Sequence, residues 1–141
     1  MIELFEYPHT VGDDEIDEQG RANNVVYLAW MQEAAIAHSA VLGWTPERYV
    51  RLGVGWVARS HWIEYLQPAV AGDEIVVQTH VADMKKVTSK RVYRILRRGD
   101  GEVLAKAETN WAFVNYATGK PTRIPPEIAA AFPLKLSEPK Q

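Results

Sequence analysis

The sequence contains no cysteine in its 141 residues, and this absence excludes several kinds of chemistry. Disulfide bonds, thiolate metal sites, iron–sulfur clusters and cysteine nucleophiles all need a thiol. The four histidines show no metal-ligand spacing, so we predict no metal site and expect no cofactor. The Gly-x-Ser-x-Gly motif and the glycine-rich phosphate loops are also missing, which argues against a serine hydrolase and against nucleotide chemistry.

An excess of one charge is lacking as well, because 16 lysines and arginines face 18 aspartates and glutamates for a net charge of -2. That balance argues against a general nucleic-acid binder. The longest apolar stretch, from Val25 to Leu42, is interrupted by Gln32, Glu33 and His38, and it therefore does not predict a membrane span. The N-terminus has neither the basic nor the apolar region of a secretory signal, so we expect a cytoplasmic protein.

The sequence does have the composition of one globular domain, with 47% apolar and 24% charged residues. Its longest periodic segment predicts a helix that starts at the Asn23–Asn24 pair, because asparagine is a good N-cap, and stops at Gly43. Apolar residues cover most of the circumference of this helix. We therefore predict a buried helix with other elements wrapped around it.

Five stretches have the composition of β-strands and are separated by turn signals such as Gly72-Asp73 and Gly99-Asp100-Gly101. The predicted fold class is α+β, a five-stranded antiparallel sheet wrapped around one long central helix. We assign residues 1–134 to a single domain and residues 135–141 to a frayed tail. The strand stretches are the first ten residues, Val54 to Leu66, Glu74 to Ala82, Val87 to Arg97 and Val103 to Tyr116.

The passage that enters the long helix resembles the signature of the hotdog-fold acyl-CoA thioesterases, the 4-hydroxybenzoyl-CoA thioesterase-like family. It has Asp17, then Gly20 three residues later, the Asn23–Asn24 pair, and Tyr27 at the start of the helix. The resemblance implies a hotdog fold over most of the chain. Three further stretches resemble the family in the same order, namely residues 63–69, residues 72–75 and residues 118–125. Arg21 departs from the pattern, since many members have a histidine or an apolar residue there.

The resemblance implies hydrolysis of a coenzyme A thioester to a free acid and coenzyme A. A helix N-terminus offers unpaired N–H groups and a favourable dipole to a developing oxyanion, so we predict that the backbone amides of Asn24 and Val25 form the oxyanion hole. Asp17 would act either as a nucleophile, through a mixed anhydride, or as a general base on water. Taken alone, the same aspartate is also a common type of turn residue beside Gly20.

The predicted substrate-binding residues are Gly20 and Tyr27 of this motif, Trp62, and four cations of a basic run. Lys85, Lys86, Lys90 and Arg91 belong to that run, which contains no acidic residue. The resemblance implies that these cations bind the phosphates of coenzyme A; the alternative is a solvated outer face of a strand.

Glu33 on the helix has two interpretations. Related branches of the superfamily carry a catalytic carboxylate on this helix. The alternative is a partly buried structural acid, paired with an arginine or with a second chain. The position of Glu33 beside Val26 and Trp30 on the helix favours the second interpretation.

Two other functions remain open at this stage. A non-catalytic acyl-CoA binding module would keep the pocket without a reactive carboxylate. A hotdog hydratase or dehydratase would need a histidine near an acid in the loop before the helix, and the sequence has none between Val11 and Ala37. The resemblance also implies a homo-oligomer, a dimer or a dimer of dimers (a homotetramer), with an active site shared between two chains, acting on a coenzyme A or acyl-carrier thioester.

Overall fold

The computed structural model describes residues 4–135, and its longest helix starts at the asparagine pair, as predicted. This helix, α1, spans Asn24–Val41. The side-chain Oδ1 of Asn23, the N-cap residue, accepts a hydrogen bond from the Val25 N–H at 3.0 Å. The chain leaves the helix through Gly43, whose φ of 95° is accessible to glycine without strain.

Five antiparallel strands form one sheet in the order β1-β3-β4-β5-β2, which confirms the predicted sheet. β1 and β2 are therefore the two edge strands. The helical segments other than α1 are a single 3-10 turn at Asp13–Glu15, α2 at Pro46–Leu52 and α3 at Pro126–Ala131. The strands are β1 (Phe5–Thr10), β2 (Val54–Tyr65), β3 (Glu74–Val81), β4 (Thr88–Arg97) and β5 (Val103–Asn115).

The core lies between α1 and one face of the sheet. Buried residues alternate along β3 and β4, because successive side chains of a strand point to opposite faces. Trp30, Tyr27 and Met31 of α1 are completely or almost completely buried, as is Tyr93 of the sheet. Truncating a buried aromatic of this size to alanine typically costs about 3–5 kcal/mol, so this layer supplies much of the stability.

The prediction that α1 is a buried helix with other elements around it holds for one face of the helix in the single chain. Val25 and Ile36 expose 68% and 51% of their surface. The sheet covers only one face of the helix, so the apolar residues on the opposite face stay in contact with solvent. An exposed apolar surface of this kind is a common feature of protein–protein contact sites.

The predicted ends of the domain are described only in part. Lys135, predicted to start a frayed tail, donates its backbone N–H to the Val81 carbonyl at 2.9 Å, and Leu134 forms a bridge with Val81. Residues 136–141 of that predicted tail and residues 1–3 of the predicted first strand lie outside the described residues. Within residues 4–135 no single helix is long and apolar enough to cross a membrane, although α1 and α2 together reach that composition across a 74° bend.

Glu15 joins three parts of the fold through its carboxylate, a role that the sequence analysis missed. Its Oε1 accepts hydrogen bonds from the His9 ring at 2.8 Å and from the Gly12 N–H at 3.0 Å. Its Oε2 accepts one from the Trp30 indole at 2.7 Å. Burial acts to raise the pKa of Glu15, but these hydrogen bonds outweigh it and lower the pKa below its ordinary value. The carboxylate thus connects β1, the 3-10 turn and α1.

Replacing this carboxylate should destabilise the fold in a pH-dependent way. We expect Glu15→Gln to lower the free energy of unfolding at pH 7 by about 1–3 kcal/mol, because an amide cannot accept all three hydrogen bonds. A pKa that is lower in the folded state stabilises above the pKa of the unfolded state, and this contribution disappears as pH falls through the folded-state pKa. Urea unfolding at several pH values measures the difference, which should shrink in acid.

The control for this experiment is Glu18→Gln, since Glu18 is exposed and makes no hydrogen bond within residues 4–135. It should leave stability unchanged at every pH. Equal stabilities of native protein and Glu15→Gln at pH 7 would contradict the proposed role of Glu15.

Candidate active site

A tight hairpin places Asp17 directly before α1. Ile16 and Ala22 form an antiparallel bridge, and the Asp17 N–H donates to the Arg21 carbonyl at 2.8 Å. The hairpin turns at Gly20, whose φ of 80° would strain any residue with a side chain. Gly20 is thus required for the turn itself, and its predicted contact with substrate stays a prediction.

One of the two carboxylate oxygens of Asp17 is hydrogen-bonded to backbone N–H groups of the same turn. Its Oδ1 accepts hydrogen bonds from the Gln19 N–H at 2.8 Å and from the Arg21 N–H at 3.3 Å. Its Oδ2 has no protein donor among the described residues. One oxygen therefore fixes the orientation of the group in an Asx-type turn, and the other is left for a substrate or a water molecule.

The amides at the N-terminus of α1 are not equivalent. The Val25 N–H donates to Asn23 Oδ1, and the Val26 N–H donates to the Asn23 carbonyl at 3.0 Å. The Asn24 N–H has no acceptor within residues 4–135. Of the two backbone amides predicted to form the oxyanion hole, that of Val25 is already hydrogen-bonded to the helix cap. The amide of Asn24 is therefore the remaining candidate.

A cleft of about 130 Å³ opens beside these groups, lined by Asn24, Tyr27, Tyr65 and their neighbours. The Tyr65 hydroxyl donates to the Asn24 carbonyl at 2.9 Å, and the Tyr27 hydroxyl accepts from the Ala69 N–H at 3.2 Å. Burial raises the pKa of both tyrosines above the ordinary value, so both hydroxyls are neutral at physiological pH. Asp17 is not among the residues that line this cleft.

A larger cavity of about 440 Å³ lies at the other end of α1. Its walls are mainly apolar and aromatic, and include Trp44, Tyr49, Trp56 and Trp111. Trp62, the tryptophan predicted to bind substrate, lies 45% exposed on the edge strand β2 and does not line this cavity. Of these two cavities in residues 4–135, the larger one has the volume for an acyl group.

The two cavities share no residue within one chain. Ala58 belongs to the wall of the large cavity and Tyr65 to the wall of the small cleft, and both are on β2. Their separation along an extended strand is roughly 20 Å. The group that could attack a thioester and the space that could hold its acyl chain are therefore far apart in a single copy of the protein.

The four predicted phosphate-binding cations do not lie together. Lys85 and Lys86 are exposed between β3 and β4, and Lys90 lies on the outer face of β4. Arg91 is 5% exposed and its guanidinium contacts His38 of α1, so it does not share a surface with the three lysines, and its predicted contact with phosphate stays a prediction. Adjacent residues of a strand point to opposite faces, and this rule already separates Lys90 from Arg91 in the sequence.

Glu33 is exposed rather than partly buried, which corrects the expectation from its position on the helix. The hydroxyl of Tyr7 approaches its carboxylate at 3.5 Å. No arginine forms an ion pair with Glu33 among the described residues. Within residues 4–135, no group of three histidine, aspartate or glutamate side chains could hold a metal ion. Glu33 therefore has no evident link to the hairpin of Asp17.

Comparisons with known proteins agree with this fold. A 1,4-dihydroxy-2-naphthoyl-CoA thioesterase from Synechocystis superposes with a TM-score of 0.84 at 19% identity, covering 91% of this chain and 94% of that one. That likeness confirms the hotdog fold. The acyl-CoA thioesterase YbgC of Haemophilus influenzae is 26% identical over 129 residues, covering 91% of this chain and 93% of the relative.

A plant relative is much longer than this chain. A chloroplastic acyl-acyl-carrier-protein hydrolase of Cuphea viscosissima is 27% identical over 132 residues, which are 89% of this chain and 32% of that protein. The chain thus spans about a third of the length of that relative. A sequence model of the thioesterase-like superfamily matches residues 11–132. Because this match spans most of the chain, the protein belongs to the thioesterase-like superfamily.

Proposed function

We propose that the protein hydrolyses acyl-CoA thioesters. The observation that carries this proposal is the hairpin that presents Asp17 immediately before a helix whose first amide, that of Asn24, has no acceptor in the described chain. Membership of the thioesterase-like superfamily and the similarity to an acyl-CoA thioesterase support the same reaction. A cytoplasmic location stays a prediction from the sequence.

In the proposed reaction the thioester oxygen accepts a hydrogen bond from the Asn24 N–H, where the helix dipole favours negative charge. Asp17 Oδ2 either attacks the carbonyl carbon or removes a proton from an attacking water molecule. The C–S bond then breaks, coenzyme A leaves as a thiolate and takes up a proton. In the nucleophilic route one water molecule then hydrolyses the mixed anhydride and regenerates the Asp17 carboxylate; both routes consume one water and yield one free acid and one thiol.

The carrier of the acyl group is coenzyme A in this proposal, with Lys85, Lys86 and Lys90 as candidates for its phosphates. All three are lysines without a carboxylate partner among the described residues. An acyl carrier protein presents its thioester on the same phosphopantetheine arm. The similarity to an acyl-acyl-carrier-protein hydrolase makes it the second substrate to test.

We also propose that two copies pair through β2. This strand is 12 residues long, lies at the edge of the sheet, and exposes Val57, Trp62 and Tyr65. An edge strand of this length offers unpaired N–H and C=O groups to a second strand. Antiparallel pairing of the two β2 strands would bring the start of one, at the large cavity, beside the end of the other, at the small cleft. Asp17 of one copy would then serve the cavity of its partner.

A hydratase is less consistent with the site. The structure does contain one histidine–carboxylate pair near α1, His9 and Glu15. The Glu15 carboxylate also accepts hydrogen bonds from the Gly12 N–H and the Trp30 indole, so the His9–Glu15 pair has a structural role. A pure binding module would use the cavities without turnover, and the first experiment below separates it from an enzyme.

The first test is thiol release from a panel of acyl-CoAs by native protein and by Asp17→Asn. We expect release by the native protein and a fall of at least a hundredfold, about 2.7 kcal/mol, in the variant, because an amide neither attacks nor removes a proton. The protein lacks cysteine, so it adds no background to a thiol-reactive dye. Release at equal rates would remove Asp17 from the chemistry, and no release from any acyl-CoA or acyl-carrier substrate would reject the enzyme.

The Asn24 amide can be deleted without deleting the helix, because proline has no N–H and is favoured at the first helical position. Asn23 already has φ -60° and ψ 135°, a conformation that tolerates a following proline. We expect Asn24→Pro to lower kcat about 100–1,000-fold with little change in Tm. The control is Asn24→Ala, which keeps the N–H and should keep the rate; similar losses in both would contradict the amide's role.

The pairing of β2 predicts a particle of twice the 15.9 kDa chain mass, or a multiple of it. Val57→Asp places a charge on the exposed edge and should shift the protein toward a monomer; because Val57 also lines the large cavity, the readout is the oligomeric state and not the activity. Val50→Asp, at a still more exposed valine of α2, should leave the oligomeric state unchanged. Light scattering on both variants decides the point, and a native protein that is monomeric at assay concentrations would exclude the shared site.

A further inference from the structure

The large cavity contains a charge that its apolar walls do not explain. Arg91 is the only charged residue in its lining, within the part of the chain that the structure describes. Its surface is 5% exposed, and no carboxylate pairs with it among residues 4–135. A buried cation without a counter-ion is unfavourable, so such groups are normally paired or serve a ligand.

The hydrogen bonds of Arg91 leave one side of its guanidinium unused. Nη1 donates to His38 Nδ1 at 2.9 Å and to Thr79 Oγ1 at 3.2 Å. Because arginine has no acceptor atom, His38 must accept at Nδ1 and therefore carries its proton on Nε2. Of the five N–H groups of a guanidinium, two are used here, and the three on Nε and Nη2 have no protein acceptor in the described chain.

The contacts to His38 and Thr79 also fix the orientation of the group. Thr79 is itself held by donating to the Val92 carbonyl at 3.0 Å, and the His38 ring stacks on Phe5 at 5.0 Å between centroids. Nε and Nη2 form the planar pair of donors that matches the two oxygens of a carboxylate. Burial lowers the pKa of the guanidinium, but an arginine stays protonated at neutral pH.

We propose that the cavity binds acyl groups whose far end is a carboxylate, held by Nε and Nη2 of Arg91, and that the preferred substrates are monothioesters of dicarboxylic acids. The proposal rests on the thioesterase function proposed above. The apolar and aromatic walls would contact the methylene chain, and the terminal carboxylate would supply the counter-charge that Arg91 does not find within residues 4–135. A neutral hydroxyl could accept a hydrogen bond from Arg91 but would leave its charge uncompensated, which favours the carboxylate.

A matched pair of substrates tests this specificity. Suberyl-CoA and octanoyl-CoA have eight-carbon acyl groups that differ only in the terminal carboxylate. We expect the native protein to hydrolyse suberyl-CoA with at least a tenfold higher kcat/KM. Arg91→Met should reverse the preference, and Arg91→Lys should recover only part of it, since an ammonium lacks the planar pair of donors. Equal or opposite preference in the native protein would overturn the proposal.

The control variant is Arg94→Met, because Arg94 lies exposed on the same strand and outside the cavity lining. It should leave the substrate ratio unchanged. An equal change of the ratio in both variants would show a general effect of charge and would also overturn the proposal. Thermal unfolding of each variant confirms that the fold is retained.

Binding of free acids makes the test independent of hydrolysis. Free suberate should raise the Tm of the native protein and of Asp17→Asn, and free octanoate should raise it much less. If no thioester is hydrolysed but suberate binds with this preference, the proposed function fails and the cavity assignment stands. If thioesters are hydrolysed and suberate binds no better than octanoate, the assignment fails alone. Should Arg91→Met not fold, the preference of the native protein still decides.

Discussion

The hydrogen bonds of Glu15 hold β1, the hairpin of Asp17 and the N-cap of α1 in position relative to one another. Its carboxylate holds His9 of β1 and Trp30 of the helix, and its backbone carbonyl accepts the Asn23 N–H at 2.9 Å. The hydrogen bond between Asn23 and Glu15 therefore closes the hairpin of Asp17 at its base. Because Asn23 is also the helix cap, the orientation of the free Asn24 amide depends on this anchor as well.

Much of this arrangement is readable from the sequence. Local signals define it well: the asparagine pair predicts the start of α1, Gly43 predicts its end, and the turn glycines separate the strands. The role of Glu15 is not readable, because its partners at positions 9 and 30 meet only after folding. The cation pair Lys90–Arg91 is an intermediate case, since strand alternation separates the two residues but only the structure shows that Arg91 faces a cavity.

The exposed face of α1 shows a different limit of prediction from the sequence. Periodicity correctly shows that the helix is apolar on most sides, and the single chain covers only one of them. The pattern is consistent with burial in an assembly rather than in the chain. The exposed edge of β2 and the separation of the two cavities along that strand agree with this interpretation. A hairpin at one end of β2 and a cavity at the other would form one site when two copies pair antiparallel.

The central claim is thus that Asp17 of one copy acts on a substrate held in the cavity of another. Mixing two inactive chains tests it: Asp17→Asn lacks the carboxylate, and Met84→Trp, at a half-buried lining residue outside β2, fills the cavity. A mixed dimer would contain one intact site and one doubly defective site. After joint refolding of equal amounts, random pairing predicts recovery of about a quarter of the native rate. A mixture as inactive as its separate components would contradict the shared site.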